Sequence, residues 1–161
     1  MGINQYEDKQ IKPRPMAEAD AKALHALFLN KEYLGADPKN VKLMLGSAKD
    51  EEQKATRANF LKTLKWLTDE VQPDDTVLFT FIGQSGDRRC YFLVDSTLKN
   101  RNMDAVASEE IEDALKKFKG KRLAVFLDID FKGFVDDKSG TAIAEPTLGK
   151  TPYREFLGDD G

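Results

Sequence analysis

The sequence holds one cysteine, Cys90, and one histidine, His25, in 161 residues. A single thiol cannot close an internal disulfide. The two side chains are too few for a Cys/His zinc cluster, and they leave no Ser-His-Asp triad with a histidine to spare. No apolar run approaches the roughly 20 residues that a membrane helix needs. The start, Met1-Gly2-Ile3-Asn4-Gln5, lacks the basic and apolar regions of an export signal, so a reducing cytoplasm is the expected setting. Charge of one sign is lacking too: 25 Lys+Arg stand against 28 Asp+Glu, for a net charge of −3. That balance argues against general nucleic-acid binding, which runs on clustered positive charge. No repeat, low-complexity tract or Pro/Gly-rich linker divides the chain, so one domain over 1–161 is expected.

What is present is an alternation of helix and strand patterns. The polar stretch through Pro15 reads as a loop. From Met16 to about Tyr33 the apolar residues Ala17, Ala21, Leu24, Leu27 and Phe28 recur at helical spacing, and Gly35 with Asp37-Pro38 ends the run. Val41 to Leu45 reads as a short strand, followed by a polar loop from Gly46 to Ala55. Thr56 is placed to cap a helix running to about Val71, with Phe60, Leu61, Leu64, Leu67 and Val71 as its apolar stripe. Pro73-Asp74-Asp75 is a turn. Thr76 to Ile82 is a near-continuous apolar run of the kind covered on both faces. Tyr91 to Val94 reads as a strand, Ser108 to Phe118 as a helix with acidic residues at its positive end, and Leu123 to Leu127 as a second buried strand. Gly149 to Gly161 reads as an exposed tail. The order predicts an α/β fold, a three-layer α/β/α sandwich with a mainly parallel central sheet. Sites in such sheets gather beyond the carboxyl ends of strands, here at Gly83-Gln84 and Asp128-Ile129-Asp130.

The residues at those two strand ends resemble a known family. Phe79 to Gln84, F-T-F-I-G-Q, resembles the caspase and metacaspase pattern in which an apolar strand leads into S-G-H-G. Val125 to Gly133, V-F-L-D-I-D-F-K-G, resembles the D-x-C-x-S-G segment. Gly2 to Tyr6, G-I-N-Q-Y, resembles the end of the family's first strand. Asp20-Ala21, Asn40-Val41, Ala55-Thr56 and Asp74-Asp75 fall where the family has them. Gln84 and Asp130 are 46 positions apart, close to the ~50 between the family's histidine and cysteine.

The resemblance implies a caspase-like fold, and it places Gln84 at the general-base position and Asp130 at the nucleophile position. Neither suits the role. An amide has no titratable proton near neutral pH, and a carboxylate is a weak nucleophile toward peptide bonds. The implied function is a catalytically degenerate cysteine-peptidase domain with a binding or regulatory role. Its expected partners are a protein or peptide, a second copy of itself or an active caspase-like relative. No cofactor, metal, nucleic acid or membrane is implied. His25 and Cys90 are the one alternative dyad, though a helix-face histidine and a small buried thiol account for them. Arg88-Arg89 beside Cys90 are a weak cue for a lowered thiol pKa.

Asp128 matches the family aspartate that helps bind a basic side chain of the substrate. A strand-end carboxylate accepting backbone amides explains it equally well. Gly83 matches the glycine near the oxyanion site, with a tight turn as the plainer explanation. The family's first strand would lie upstream of Gly2 and its small-subunit strands beyond Gly161, which implies a fragment of a longer chain. Ser85-Gly86-Asp87 follows Gln84 directly, which shortens the rim of the site.

Two other readings stay open. The site could belong to an active endopeptidase cleaving after basic residues, with groups supplied from outside these residues. Alternatively, an apolar strand ending in D-x-D also resembles the Mg²⁺-dependent haloacid-dehalogenase-type phosphohydrolases, with Asp128 attacking phosphorus and Asp130 protonating the leaving group. Phe131-Lys132-Gly133 does not fit that pattern, and Asp136-Asp137 lies too close to be its distant acidic pair. Asp128 and Asp130 could also hold a divalent ion without catalysis. Lys116-Lys117 and Lys119 to Arg122 read as a solvated helix end rather than a nucleic-acid patch.

Overall fold

A computed structural model of the chain describes residues 1–86, 90–119 and 122–130. Asp87, Arg88 and Arg89, the Phe131-Lys132-Gly133 run, Asp136-Asp137 and the tail from Gly149 lie outside the described residues. The elements are α1 (Ala17–Leu29), α2 (Arg57–Glu70), β1 (Thr76–Gly86), β2 (Cys90–Tyr91), α3 (Arg101–Asp104), β3 (Val106–Ala107), α4 (Ser108–Leu115) and β4 (Arg122–Asp130). The sheet order is β3-β2-β1-β4. β1 and β4 are parallel, in register from Thr76↔Arg122 to Gln84↔Asp130. β2 and β3 add on antiparallel, so the sheet is mixed.

A further extended piece, residues 1–3, lies against the other side of β1. Ile82 donates to the Met1 carbonyl and accepts from the Ile3 amide at 3.1 Å each. On its far side Gly2 donates to Met44 at 3.0 Å and accepts from Gly46 at 3.1 Å. Residues 1–3 therefore run parallel to both neighbours, between β1 and residues 44–46. α1 crosses directly above. A Cβ at Gly2 would collide with the Ala17 carbonyl oxygen, so glycine here permits the helix to approach.

Alternation along β1 sorts the core into two layers. Ile82 packs with Ala17, Ala21 and Leu45 under α1. Phe81 packs on the opposite face with Phe60 and Leu64 of α2 and Ile111 of α4. Helices on both faces of one sheet give the α/β/α sandwich. Phe81, 1% exposed, contributes about 2–3 kcal/mol by its burial. The first turn of α2 is held by Thr56, whose hydroxyl accepts from Asn59 N at 3.3 Å, and by Asp95, which accepts from Arg57 N at 2.9 Å. Arg57 then pairs with Glu110 of α4 at 2.6 Å, tying the two helices on that face together.

Glu18 pins the opposite layer. It is buried in the first turn of α1 and accepts from Asn4 N at 3.3 Å, Ser47 N at 3.1 Å and the Ser47 hydroxyl. Its own amide donates to Asn4 Oδ1 at 2.9 Å. One carboxylate thus links α1, the exit of residues 1–3 and the loop after Gly46. On the outer wall of α2, the Lys42 ammonium sits 4.6 Å from the ring centre of Trp66.

Several sequence expectations need correction. Val41 to Leu45 is not a full strand: Pro38–Asn40 is a 3-10 turn, and Leu45 makes only isolated bridges. Residues 1–3 supply it too little backbone for a ladder. Of Tyr91 to Val94, only Tyr91 is in a strand, because Phe92 to Val94 turn into the core. α1 and α4 end at Leu29 and Leu115, earlier than the patterns suggest. Leu27 is 41% exposed, so the buried face of α1 is carried by Ala17 and Ala21 instead. β4 is not covered on both faces, since Phe126 is 55% exposed. β1 runs on to Gly86, so Gln84 lies inside a strand rather than at its tip.

Replacing Glu18 by Ala should cost about 3 kcal/mol, since three donors lose a charged acceptor; urea titration would show it. The Met1 amino group gives a pH signature. Burial pushes it from 8.0 down to about 6. Between those values the unfolded chain binds more protons than the folded one, so stability should climb with pH across that window and level off above it. The gain should be roughly 3 kcal/mol, read by melts of untagged protein, and Nα-acetylation should flatten the climb.

Candidate functional site

The parallel register brings the predicted site residues together. Gln84 is the Cα partner of Asp130, Ile82 of Asp128, and Gly83 of Ile129. Residues two apart share a face, so Gln84, Asp128 and Asp130 all project toward the α1 side. Their settings differ. Gln84 is 2% exposed, and its Oε1 has no hydrogen-bond partner among the described residues. Asp130 is half-buried and Asp128 is exposed.

Asp128 has a partner that the sequence did not indicate. Arg14 of the same chain forms an ion pair with its carboxylate. The guanidinium is delivered by a turn between Pro13 and Pro15, where Arg14 N donates to the Asn4 carbonyl at 2.8 Å and Met16 takes a left-handed φ of 74°. Among the described residues the partner of Asp128 is thus a side chain. No local pattern flags Arg14, since the pairing spans 114 positions.

Tyr6, the last residue of the G-I-N-Q-Y run, organises the site. Residues 1–3 leave the sheet before reaching Gln84, whose amide would otherwise lose its ladder partner. The Tyr6 hydroxyl accepts that amide at 2.7 Å, standing in for a backbone carbonyl. Burial raises the phenol's pKa above its ordinary value, against smaller lowering effects from the Gln84 amide and the Arg14 charge. The same hydroxyl explains Gly83. That residue is in the strand with no positive φ, so the tight turn expected there is absent. A Cβ would instead stand 3.0 Å from the Tyr6 hydroxyl and 3.0 Å from the Phe81 ring. Close approach thus favours glycine at position 83.

The alternative dyad is not supported by the packing. Cys90 is buried in the Phe81 cluster, and His25 is on α1, whose buried residues belong to the Ile82 cluster. For the metal reading, no group of three or more His, Cys, Asp or Glu suited to an ion occurs among the described residues. Asp128 is also committed to a cation of the protein's own. Chemically, the site offers a buried amide with no titratable proton near neutrality, a half-buried carboxylate, and an acidic group paired with an arginine.

A mixed four-stranded sheet with flanking helices and a parallel β1–β4 pair is consistent with a caspase-like α/β fold. The family model described as "Metacaspase, peptidase C14 domain" matches residues 2–135. The chain belongs to that family of caspase-like cysteine peptidases. A search of curated proteins finds no match. No helix among the described residues is long and apolar enough to cross a membrane.

Tyr6→Phe tests the surrogate carbonyl. It leaves the Gln84 amide buried and unpaired, and should cost about 2 kcal/mol, a fall in melting temperature of about 4–8 °C for a chain of this size.

Proposed function

We propose that the chain is a catalytically degenerate metacaspase-like domain, a pseudo-protease that binds or regulates a protein or peptide. One observation carries the reading: Gln84 and Asp130 occupy paired positions on the two parallel strands, where the resemblance puts the base and the nucleophile. Cysteine-peptidase chemistry needs a thiolate and a group that shuttles its proton. Gln84 is enclosed as well as untitratable, which adds to the case. A nucleophile–base unit contributes ~10⁶-fold in rate, so losing both members leaves almost none of it.

Asp128, with Gly83 one register position further on in the neighbouring strand, is the proposed recognition point for a basic side chain. In the unbound chain Arg14 holds that carboxylate, so a peptide arginine has to displace Arg14. Partners in this reading include a second copy or an active relative, in the cytoplasm.

The test is an assay of the purified protein on fluorogenic peptides carrying Arg or Lys, beside a Gln84→His, Asp130→Cys double variant. The wild-type chain should give no turnover above buffer. Turnover that disappears in Asp130→Asn would overturn the proposal. For the binding role, Arg14→Ala should tighten an arginine peptide about tenfold, and Asp128→Asn should remove that gain.

A further inference from the structure

The α1 side of the sheet carries side-chain oxygen acceptors at three depths. Asp128 is exposed, Asp130 half-buried and Gln84 enclosed. Gln84 Oε1 has no partner among the described residues, and Gln84 stands level with Asp130 on the adjacent strand. A buried oxygen in that state calls for an N–H or O–H group.

At the outer end, the Arg14–Asp128 pair is a single contact, Nη2 to Oδ1. The two side chains are 24% and 60% exposed, so a ligand can reach both. Asp128 Oδ2 and the Nε and Nη1 donors of Arg14 have no partner among the described residues. The pair thus offers an acceptor and donors side by side. Of the charged side chains Arg14, Asp128 and Asp130, two are negative and one positive.

We propose that this face is a binding site for a free α-amino acid with a guanidinium side chain. The ammonium of the ligand donates to Asp128 Oδ2 and its carboxylate accepts from Arg14, so a zwitterionic head lies against an ion pair of the opposite order. Its guanidinium reaches inward, to Asp130 and Gln84 Oε1. Asp128 and Asp130 are two strand positions apart, at ~3.3 Å per residue, a span that an extended arginine side chain covers. A guanidinium brings five N–H donors in a fixed fork, which suits several oxygens at once. A carboxylate accepts more than one donor, so Asp130 takes the ligand beside the interaction it already has. The three charges of the ligand, two positive and one negative, mirror those of the three side chains. A metal ion fits less well, because the Arg14 charge lies against Asp128. The proposal does not rest on the pseudo-protease reading: the amino acid keeps Arg14 in place, whereas a peptide arginine displaces it.

The experiment is a calorimetric titration of the 161-residue chain with L-arginine at neutral pH, where binding should be saturable. Three analogues each remove one charge: agmatine the carboxylate, Nα-acetyl-L-arginine the ammonium and L-citrulline the guanidinium. Each should bind about tenfold more weakly. Arg14→Ala should weaken L-arginine by a similar factor, the opposite of its effect on an arginine peptide. Gln84→Met, which keeps the bulk and removes the acceptor, should weaken it too while its melt confirms folding. Should that variant unfold, the four ligands on the wild-type chain still decide. No saturable binding of L-arginine overturns the proposal. So does equal binding of L-arginine, agmatine and Nα-acetyl-L-arginine, which would mark a general attraction of cations. Tighter binding of L-arginine by Arg14→Ala also overturns it, and leaves the peptide reading standing.

Discussion

Where β1 runs beside β4, Ile82 stands level with Asp128 and Gln84 with Asp130, and the placement of Gln84, Asp128 and Asp130 on one face follows from that alignment. Parallel pairing gives each strand one partner per residue and a fixed facing direction. A slip of one position would turn Asp128 and Asp130 into the Phe81 layer, where two carboxylates would meet aromatic rings. The register is therefore guarded by the core. Leu123, Val125, Leu127 and Ile129 lie on the opposite face of β4 from Asp128 and Asp130, and the last three pack against the Phe81 cluster.

The loops then set what the strands present. Asn4 and Ser47 form one polar knot around the buried Glu18, and the Arg14 turn hangs from it through the Asn4 carbonyl. Tyr6 lies on the same stretch, so the phenol that closes the ladder and the guanidinium that covers Asp128 are positioned together. Such a knot is costly if half satisfied and rigid if complete. Glu18 is well supplied with donors. Gln84 Oε1 and Ser85 Oγ have no hydrogen-bond partner among the described residues, and Gln84 is the residue that the resemblance equates with the family's base. Buried polar atoms left without partners cost of order 1–3 kcal/mol each, a penalty that natural sequences tolerate mainly at sites of function.

Much of the architecture was legible because its signals are local. The Phe60–Leu64 stripe and the Thr56 cap define α2, and T-V-L-F-T-F-I defines most of β1. The spacing that equated Gln84 and Asp130 with the family's dyad positions corresponds to a direct Cα pairing. What escaped was long-range. Nothing near Arg14 indicates that it reaches Asp128, and nothing near Tyr6 says that its hydroxyl serves a strand 78 residues away. Gly83 looked like a turn because glycine usually marks one; only its three-dimensional neighbours reveal the crowding. The short pairing at Leu45 was overestimated for the converse reason. Its β-rich composition says nothing of how little neighbouring backbone is there to receive it.

Trp66 is the single indole of the chain, and it stands on the α2 wall beneath the Lys42 ammonium. Lys42 also belongs to the segment that borders a cavity beside β1. Any rearrangement of that segment alters the field and the solvent around one chromophore, with no other tryptophan to blur it. The protein thus carries an intrinsic optical gauge on the lower half of its sheet, silent toward events at the Asp130 end.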